Sequence, residues 1–225
     1  MRFSPRTVLT ALAAVFALSA VAVSSASAAP EWYVKKGGVW SKVTTSVKAT
    51  SSNTLEVIDT KILTVEGLKA LAISCEGNGE GVVEAAGKGK ITNLGTVSCK
   101  PGKAEHNLCK TAEKFEPVHL PWTTELYKEG TTVRSKIGGA STPEIDLKCS
   151  GYASPDLCQS TTSTLMSNNL SSGLVEASFD KVSNKVTCSI SHEQFKEALG
   201  EWQGTMKVKP TTAEKEKGVE ALKVE

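Results

Sequence analysis

Segments in which every second residue is apolar recur along this chain, and they constrain its fold more than any other feature. A period of two places one row of side chains on a buried face and the other on an exposed face, as in antiparallel strands. The clearest apolar rows are Leu71, Ile73 and Cys75; Ile145, Leu147 and Cys149; Val175, Ala177 and Phe179; and Val186, Cys188 and Ile190. Further strands are predicted at Trp32–Lys35, Val39–Thr50, Leu55–Ile58, Gly81–Val97, Val118–Tyr127, Thr131–Ile137, Gln159–Met166, Trp202–Val208 and Val219–Val224.

Clusters of Gly, Ser, Asn and Pro separate these segments and predict turns. Two of the clusters are SSN at Ser51–Asn53 and EGNG at Glu76–Gly79. Only His192–Gly200 has helical spacing, and AEKEKG at Ala213–Gly218 is interpreted as a solvated loop. Many short strands with regular turns predict an all-β fold, an antiparallel sandwich or barrel stapled by disulfides, with at most one short helix.

The N-terminal segment has the three parts of a secretory signal peptide. Arg2 and Arg6 form a basic region, Val8–Val23 is apolar, and Ala26–Ala28 reads ASA, which fits the cleavage rule of signal peptidase. We therefore predict that residues 1–28 are a signal peptide cleaved after Ala28, and that the protein is secreted and extracellular. An uncleaved anchor is the alternative interpretation.

Removal of residues 1–28 leaves a chain of zero net charge. That segment holds two arginines and no acidic residue, so 24 basic and 24 acidic residues remain, and Arg134 is the one arginine among them. Because nucleic acid binding needs a positive field and bidentate arginines, we expect no nucleic acid partner. No second apolar run approaches the roughly 20 residues of a membrane span, so we expect no stable membrane insertion after cleavage. Residues 29–225 are interpreted as a single all-β domain, with an alternative subdivision near 101–116.

Six cysteines in a chain predicted to be exported indicate three disulfides. They are Cys75, Cys99, Cys109, Cys149, Cys158 and Cys188. The sequence leaves their pairing open. The segments between Cys99 and Cys109 and between Cys149 and Cys158 contain Pro and Gly, which favours a pairing within each and leaves Cys75 for Cys188. Zinc is the alternative, but zinc sites contain closely spaced cysteines or clustered histidines, so we predict no metal and no other cofactor.

GEGVVEAAGKGK at Gly79–Lys90 has the composition of a phosphate-binding loop without its spacing. A Walker loop has four residues between its glycines and a Ser or Thr after the lysine. Here five residues separate Gly81 from Gly87, and Lys88 is followed by Gly89. We predict instead that Gly87 and Gly89 form a bare strip of a strand on which a tryptophan packs, the alternative being a loose glycine-rich hairpin.

The stretch HLPWTTELY offers an aromatic surface as a candidate binding site. Trp122 and Tyr127 lie on opposite faces of the predicted strand. The favoured interpretation is that Trp122 belongs to the core, and the alternative is a sugar-binding or peptide-binding surface built from both rings. Pro121 lacks a backbone N–H, which predicts an edge or the start of a strand.

We predict no catalytic residue. The chain contains no H-E-x-x-H or G-x-S-x-G motif, and paired cysteines do not act as nucleophiles. Glu125, Glu144 and Asp146 are carboxylates able to pair across strands as in a glycosidase, but most acidic residues of such a chain are solvated. A binding protein is therefore favoured over an enzyme.

Five stretches of this sequence resemble a group of secreted proteins from high-GC Gram-positive bacteria. They are EWYV directly after the signal peptide, ISCEGNGEG, HLPWTTELY, VTCS and GTMKVKP. The resemblance covers most of the chain after residue 28. It implies export from an actinobacterial cell, disulfides and an all-β fold, and it implies no activity and no catalytic residues.

The favoured function is a binding or structural role in the envelope or the extracellular space. The expected partners are a cell-wall or extracellular glycan or a protein. A secreted hydrolase with a glycosidase-like carboxylate pair is one alternative. A protease inhibitor that presents a disulfide-closed loop, such as the one between Cys149 and Cys158, is another.

Overall fold

A computed structural model describes residues 28–64, 67–138, 142–150, 156–160, 164–166, 169–170, 175–179, 185–190 and 198–225. These residues form antiparallel strands and one short helix, so the predicted all-β class is confirmed. The strands are β1 (Trp32–Lys36), β2 (Val39–Lys42), β3 (Val47–Thr64), β4 (Gly67–Val83), β5 (Lys88–Pro101), β6 (Thr111–Val118), β7 (Trp122–Glu129), β8 (Thr132–Gly138), β9 (Glu144–Ser150), β10 (Asp156–Ser160), β11 (Thr164–Met166), β12 (Asn169–Leu170), β13 (Val175–Phe179), β14 (Lys185–Ile190), β15 (Ala198–Pro210) and β16 (Val219–Val224), and the helix is α1 (Thr212–Glu216).

Four long neighbouring strands, β5, β4, β3 and β15, form the middle of the larger sheet. Strands β3 and β4 run straight through the clusters SSN and EGNG, so the two turns predicted there are wrong. Ser51 pairs with Gly79, and Asn53 pairs with Gly77, in one continuous ladder. Turn-forming residues are tolerated in these strands because Ser51 and Asn53 point into the interior and hydrogen-bond there, as described below.

The larger sheet curls into a nearly closed barrel at one end of the long strands. The strand order there is β8, β7, β5, β4, β3, β15 and β13, and β12 pairs with β13 while lying against β8. We call this part the cavity end; it includes residues 47–53 of β3, 77–83 of β4 and 203–208 of β15. At the opposite end, β15 continues into β14, β10, β9 and β6, and β6 lies beside β5. We call this part the disulfide end.

A second sheet of three strands, in the order β16, β1 and β2, covers the mouth of the cavity end. The buried residues of its inner face, Trp32 and Val34 of β1 and Leu222 of β16 among them, belong to the main hydrophobic core. Glu31 and Glu225 exchange backbone hydrogen bonds of 2.8 and 3.2 Å. The two ends of the described fold are therefore joined to each other.

All six cysteines form disulfides, but none of the three pairings favoured by spacing is present. The disulfides join Cys75 to Cys99, Cys109 to Cys149 and Cys158 to Cys188. Cys75 and Cys99 are directly opposite in the β4–β5 ladder, with Cα atoms 4.1 Å apart, and Cys158 and Cys188 are opposite in β10–β14 at 4.0 Å. Strand register selects these two pairings, because each cysteine meets the residue directly across its ladder, while Cys109, in the segment before β6, reaches Cys149 of β9.

The segment after β5 folds back over the outer face of β3 and β4. Strand β5 ends at Pro101, which lacks an N–H, and the side chain of Asn107 occupies the free edge of β4 beyond it. The Asn107 carboxamide accepts from the N–H of Ala72 and donates to its carbonyl, both at 3.0 Å, and also donates to Gly102 O. One side chain thus replaces a strand residue and closes the small cluster formed by Ile58, Ala70 and Ala72 with Ala104.

The segment AEKEKG contains a helix and is not a loop, which corrects the sequence interpretation. Helix α1 begins after Thr211, whose Oγ1 accepts from the N–H of Glu214 at 3.3 Å. Thr-x-x-Glu is the capping-box pattern, and the sequence contains it at Thr211 and Glu214. Most of the helix predicted at His192–Gly200 lies outside the described residues, and its last three residues, 198–200, belong to β15.

The predicted signal peptide and its cleavage site lie almost wholly outside the described residues, since the first of these is Ala28. Within the part of the chain that the structure describes, no helix is long and apolar enough to cross a membrane.

A candidate ligand cavity inside the barrel

The cavity end contains a partly open cavity with a volume of about 70 Å³. Its wall combines residues from eight strands, which are β1, β3, β4, β5, β7, β8, β13 and β15. The period-two alternation explains this convergence, because every strand of a barrel turns alternate side chains inward. The apolar part of the wall consists of Trp32, Ala49, Val82, Val83, Ile91, Ile137, Val175, Ala177, Met206 and Val208.

Small side chains leave this space open. Ala49 and Ala177 point inward from β3 and β13 and are buried, yet each has only one side-chain carbon. At the same level β4 contributes Gly81, which has none. Small barrels are normally filled by their own side chains, so the two alanines leave a hole where larger residues would meet. Gly81 has a different reason, because a Cβ there would clash with the carbonyl oxygen of Lys90 in the neighbouring strand.

The buried polar groups of the cavity wall are uncharged. Ser51 and Ser135 are buried and present hydroxyl groups, and Thr124 lies beside them on β7. Glu80 and Lys90 also line the wall, but both residues are solvent-exposed. A charged group inside the cavity would therefore lose its hydration without meeting a buried opposite charge.

Trp32 contributes a buried hydrogen-bond donor that has no acceptor. The residue is 6% exposed and lines the cavity, and its indole nitrogen Nε1 is buried without a hydrogen-bond partner among the described residues. A buried N–H that lacks a partner costs about 1–3 kcal/mol, so most such groups in native proteins are paired. Trp32 Nε1 is therefore a buried donor for which none of the described residues supplies an acceptor.

A polar layer lies next to the cavity where β3 and β4 pair. Asn53, with its carboxamide nitrogen toward β3, donates to Ser51 Oγ at 2.9 Å and accepts from the N–H of Gly79 at 3.3 Å. A Cβ on Gly79 would lie 2.5 Å from Ser51 Oγ, closer than real Cβ contacts come. Glycine is required at this position because the inward polar side chains of β3 occupy the space in front of it.

The strip predicted at Gly87 and Gly89 is covered, but by other groups than a tryptophan. Gly87 has φ of 70° and follows Ala86, with φ of 55°, in the tight turn between β4 and β5. Gly87 therefore lies in the turn and Gly89 in β5, so the two glycines do not form one face of a strand, which corrects the predicted strip. A Cβ added to Gly87 would lie closest to atoms of Pro30 and Leu126. A Cβ added to Gly89 would lie closest to atoms of Val82 and Thr124.

Trp122 is 1% exposed and belongs to the core, as the favoured interpretation predicted. It donates from Nε1 to Val118 O at 3.0 Å and packs edge-to-face on Trp202, with ring centroids 6.1 Å apart. Tyr127 is partly buried, and burial raises the pKa of its phenol above the ordinary 10.0. The two rings therefore do not form a joint binding surface.

The three carboxylates considered for a glycosidase do not lie in the cavity. Glu144 and Asp146 share one face of β9, and Glu144 faces His119 at 3.8 Å between Oε2 and Nδ1. Glu125 lies on β7 between Lys88 of β5 and Lys136 of β8 in the ladder. The described residues contain no group of three or more His, Cys, Asp or Glu side chains arranged to hold a metal ion.

The loop proposed for a protease inhibitor is not closed in the expected way. Cys149 pairs with Cys109 and Cys158 pairs with Cys188, so no disulfide joins the two ends of the segment between Cys149 and Cys158. Residues 151–155 of that segment lie outside the described part of the chain.

Two surface features are further candidates for binding. A polar groove of about 450 Å³ runs over the outer face of the long strands and is lined by Ser52, Asn53, Thr54, Glu76, Gly77, Asn78, Thr205 and Lys207. On the outer face of the smaller sheet, Lys223 Nζ lies 5.1 Å from the ring centre of Tyr33 and 4.8 Å from that of Trp40. Nearby, a hydrogen bond and ion pair with Glu31 raise the pKa of Lys42. Hydroxyl, amide and cation–π groups of this kind are ordinary on exposed sheet faces.

No family model, no curated protein and no solved structure matches this chain. The resemblance to secreted proteins of high-GC Gram-positive bacteria stays a prediction.

The sequence reading missed the cavity, although part of its signal was present. The alternation predicts that Val175 and Ala177 lie in one apolar, inward-facing row and that Trp32 belongs to a strand. Nothing local indicates that these residues, Ala49 and Gly81 meet around one space, because they lie on four different strands. The lack of an acceptor for the Trp32 N–H among the described residues likewise depends on the tertiary structure and not on the neighbouring residues in the sequence.

Proposed function

We propose that this chain is an exported, disulfide-stapled β-barrel protein whose role is binding, and that it holds a small apolar molecule in the barrel cavity. The observation that carries the proposal is the cavity itself, a mostly apolar space inside the barrel in which the buried polar groups are hydroxyls and the charged residues Glu80 and Lys90 are solvent-exposed. Ligand sites in proteins commonly have this composition, and the mouths of β-barrels are common places for them. The proposal narrows the binding role predicted from the sequence and replaces the surface glycan or protein by an enclosed ligand.

Export is supported by the N-terminal sequence and by the disulfides. Three disulfides are typical of an oxidising compartment. Cleavage after Ala28 would keep Pro30, which is buried, and Glu31, which exchanges backbone hydrogen bonds with Glu225, in the mature chain. Disulfides and zero net charge after cleavage suit a protein that works outside the cell.

The volume of the cavity determines how large a probe molecule a binding test can use. It has roughly half the 150 Å³ of an engineered cavity that binds benzene, so it suits about four or five heavy atoms. The hydrocarbon 2-methyl-1-butene has this size. We expect it to bind with a Kd of about 1 mM and to shift the methyl NMR signals of Val83, Ile137 and Met206.

Two substitutions of alanine by leucine distinguish binding in the cavity from binding at the surface. Ala177→Leu fills the cavity and is expected to weaken binding of 2-methyl-1-butene more than tenfold. Ala221→Leu adds the same atoms on the half-exposed face of β16 and is expected to leave the Kd within about twofold. Ala49→Val is a milder filling variant in case Ala177→Leu does not fold. Unsaturable shifts, or a Kd that none of the filling variants changes, would overturn the proposed function.

Export is tested on the full chain in a Gram-positive secretion host. N-terminal sequencing of the secreted protein should begin at Ala29, and non-reducing peptide mapping should recover the three disulfides of the fold. Retention of the chain inside the cell with residues 1–28 still attached would contradict export.

A further inference from the structure

The polar groove on the outer face of the long strands is a candidate site separate from the barrel cavity. We propose that this groove, of about 450 Å³ on β4, β3 and β15, binds a neutral glycan that lies across the three strands. The juxtaposition that carries the proposal is two rows of polar side chains that the strand register places side by side within one groove. The inference goes beyond the proposed function, and it concerns the extracellular glycan that the sequence predicts as a partner.

The first step concerns the register, which places six outward side chains of the groove in two rows. Thr54 of β3 is opposite both Glu76 of β4 and Thr205 of β15, and these three form the first row. Neighbouring strands lie about 4.8 Å apart and successive residues on one face about 7 Å apart, so the six side chains form a regular grid. The second row consists of Asn78, Ser52 and Lys207. Any one of these groups is ordinary on an exposed sheet face, but their alignment within one groove is a property of this fold.

Both rows continue onto the next strand, β13. Ser178 is opposite Thr205, and Glu176 is opposite Lys207, with 3.7 Å between the carboxylate and the ammonium nitrogen. The polar rows thus cross four neighbouring strands, over roughly 14 Å. A surface of this length suits a short chain of sugars better than a single sugar ring.

The second step concerns whether the groups of the groove are available to a ligand. A hydroxyl beside the groove is used within the fold, since Thr50 Oγ1 donates to the carbonyl of Gly79 at 3.0 Å. In the part of the chain that the structure describes, the side chains of Ser52, Thr54 and Thr205 make no such bond. A ligand would therefore meet these hydroxyls without breaking a hydrogen bond of the protein.

The third step concerns the kind of hydrogen bonds that the groove offers. Its three hydroxyls and the Asn78 carboxamide each donate and accept, whereas Glu76 only accepts and Lys207 only donates. A ligand that satisfies all of them needs many donors and many acceptors at short intervals. Sugar hydroxyls both donate and accept, and a glycan chain repeats them along its length.

The charges of the groove favour a neutral ligand. Glu76 is its one carboxylate and Lys207 its one ammonium, and Lys207 already pairs with Glu176 beside the groove. A polyanion would find no surplus positive charge here and would be repelled by the two carboxylates.

The pairing of the strands argues against an extended peptide as the ligand. Peptides add to the free edge of a sheet or place side chains in apolar pockets. At the groove, β4, β3 and β15 each have hydrogen-bonded neighbours on both sides, so they offer no free edge. The groove is also lined by no apolar side chain among the described residues.

NMR titration of the full mature chain with three neutral pentasaccharides tests this inference. The probes are cellopentaose, maltopentaose and chitopentaose, which differ in linkage and in their substituents. We expect at least one to bind saturably with a Kd of about 1 mM and to shift the backbone amides of Ser52, Thr54 and Thr205. Pentagalacturonate is the polyanionic counterpart and should bind at least tenfold more weakly than that neutral probe.

Matched hydroxyl variants locate the binding. Ser52→Ala and Thr54→Val together remove two hydroxyls of the groove and should raise the Kd of the bound pentasaccharide at least about fivefold. Thr92→Val removes a hydroxyl outside the groove, where Thr92 Oγ1 donates to the carbonyl of Glu80 at 3.2 Å, and should leave the Kd within about twofold. Thr205→Val is the second groove variant in case the double variant does not fold.

The outcomes that overturn the inference are distinct from those that overturn the proposed function. Saturable shifts with none of the three neutral probes, or a Kd that the groove variants leave unchanged, would refute the groove as a glycan site. Pentagalacturonate that binds as tightly as the neutral probe would refute the neutral class. Ala177→Leu, which fills the barrel cavity, should leave the Kd of the pentasaccharide within about twofold, so the two sites are tested independently.

Discussion

The two ends of the long strands share β3, β4, β5 and β15, yet they are stabilised in different ways. The disulfide end contains all three cross-links and many of the fully buried side chains, including Leu71, Ile73, Ile145 and Leu147. The cavity end has no disulfide, because all six cysteines of the chain are used at the other end. Its interior contains alanines, glycines and a polar layer around a cavity.

This difference indicates which part of such a fold tolerates a cavity for a ligand. A cavity costs packing energy, because the atoms around it lose contacts. A cross-linked and densely packed region elsewhere in the same sheet supplies stability that the cavity end lacks. We infer that the disulfide end holds the long strands in register and that the cavity end uses this register to form its wall.

The largest expected effect comes from the cross-link between β9 and the segment before β6. Removing it with Cys109→Ala and Cys149→Ala together should lower the free energy of unfolding by about 2–4 kcal/mol, because a loop of sequence separation 40 regains entropy in the unfolded chain. Urea unfolding measures the loss, and the Kd of 2-methyl-1-butene for the folded fraction should change less than about twofold. A tenfold weaker Kd in the folded variant would show that the two ends are not independent.

The next effect concerns Asn107, which completes the edge of β4 at the disulfide end. Asn107→Ala removes the hydrogen bonds to Ala72 and Gly102, so it should lower the free energy of unfolding by about 2–3 kcal/mol in the same urea experiment. Asn78→Ala, on an exposed position of the same strand, is the matched control and should stay within about 0.5 kcal/mol of the wild type. Equal losses in the two variants would refute the role of Asn107.

A smaller effect is expected at the polar layer beside the cavity. Gly79→Ala forces a Cβ against Ser51 Oγ and should cost about 1–3 kcal/mol. Adding Ser51→Ala removes that oxygen and should recover part of the loss, which thermal unfolding can measure. Gly95→Ala is the control on β5, where a Cβ would meet only the carbonyl oxygen of Asn78 at 3.7 Å. Absence of any recovery in the double variant would mean that the contact with Ser51 is not the cause.

The smallest effect is a pH dependence at the cavity end. Burial raises the pKa of Tyr127, so above about pH 10 the tyrosine ionises in the unfolded chain before it does so in the folded one. The neutral phenol of Tyr127 stabilises the fold fully below about pH 10. This stabilisation is lost as the pH rises through the pKa that Tyr127 has in the folded chain. Tyr127→Phe should therefore lessen the fall in Tm between about pH 9 and about pH 11. An unchanged fall would contradict the raised pKa.

The strands themselves could be predicted because alternation is a local property. The row of Leu71, Ile73 and Cys75 is buried as its pattern indicates, and so are Ile145, Leu147 and Cys149. Two turns were predicted wrongly because Ser, Asn and Gly favour turns in isolation, whereas here Ser51 and Asn53 satisfy each other and Gly79 inside a ladder. Local composition cannot show that kind of long-range compensation.

The helix at Thr212–Glu216 could also have been predicted, since its capping box is visible in the sequence. The disulfide pairing could not. Cys158 meets Cys188 because β10 pairs with β14, and sequence separation does not reveal which strands are neighbours. Spacing along the chain favours pairing with the nearest cysteine, but two extended strands separate cysteines that are close in sequence.

By itself, the sequence determined that this chain forms antiparallel strands and that its cysteines are arranged for disulfides, and it predicts export from residues 1–28. These properties depend on neighbouring residues or on counts. The tertiary structure alone decided which cysteines pair, that β3 and β4 continue through two turn-like clusters, and that Trp32, Ala49, Gly81 and Ala177 surround one cavity. The physical reason is register, because residues far apart in sequence meet only after the ladders have fixed which strands are adjacent and which side chains point inward.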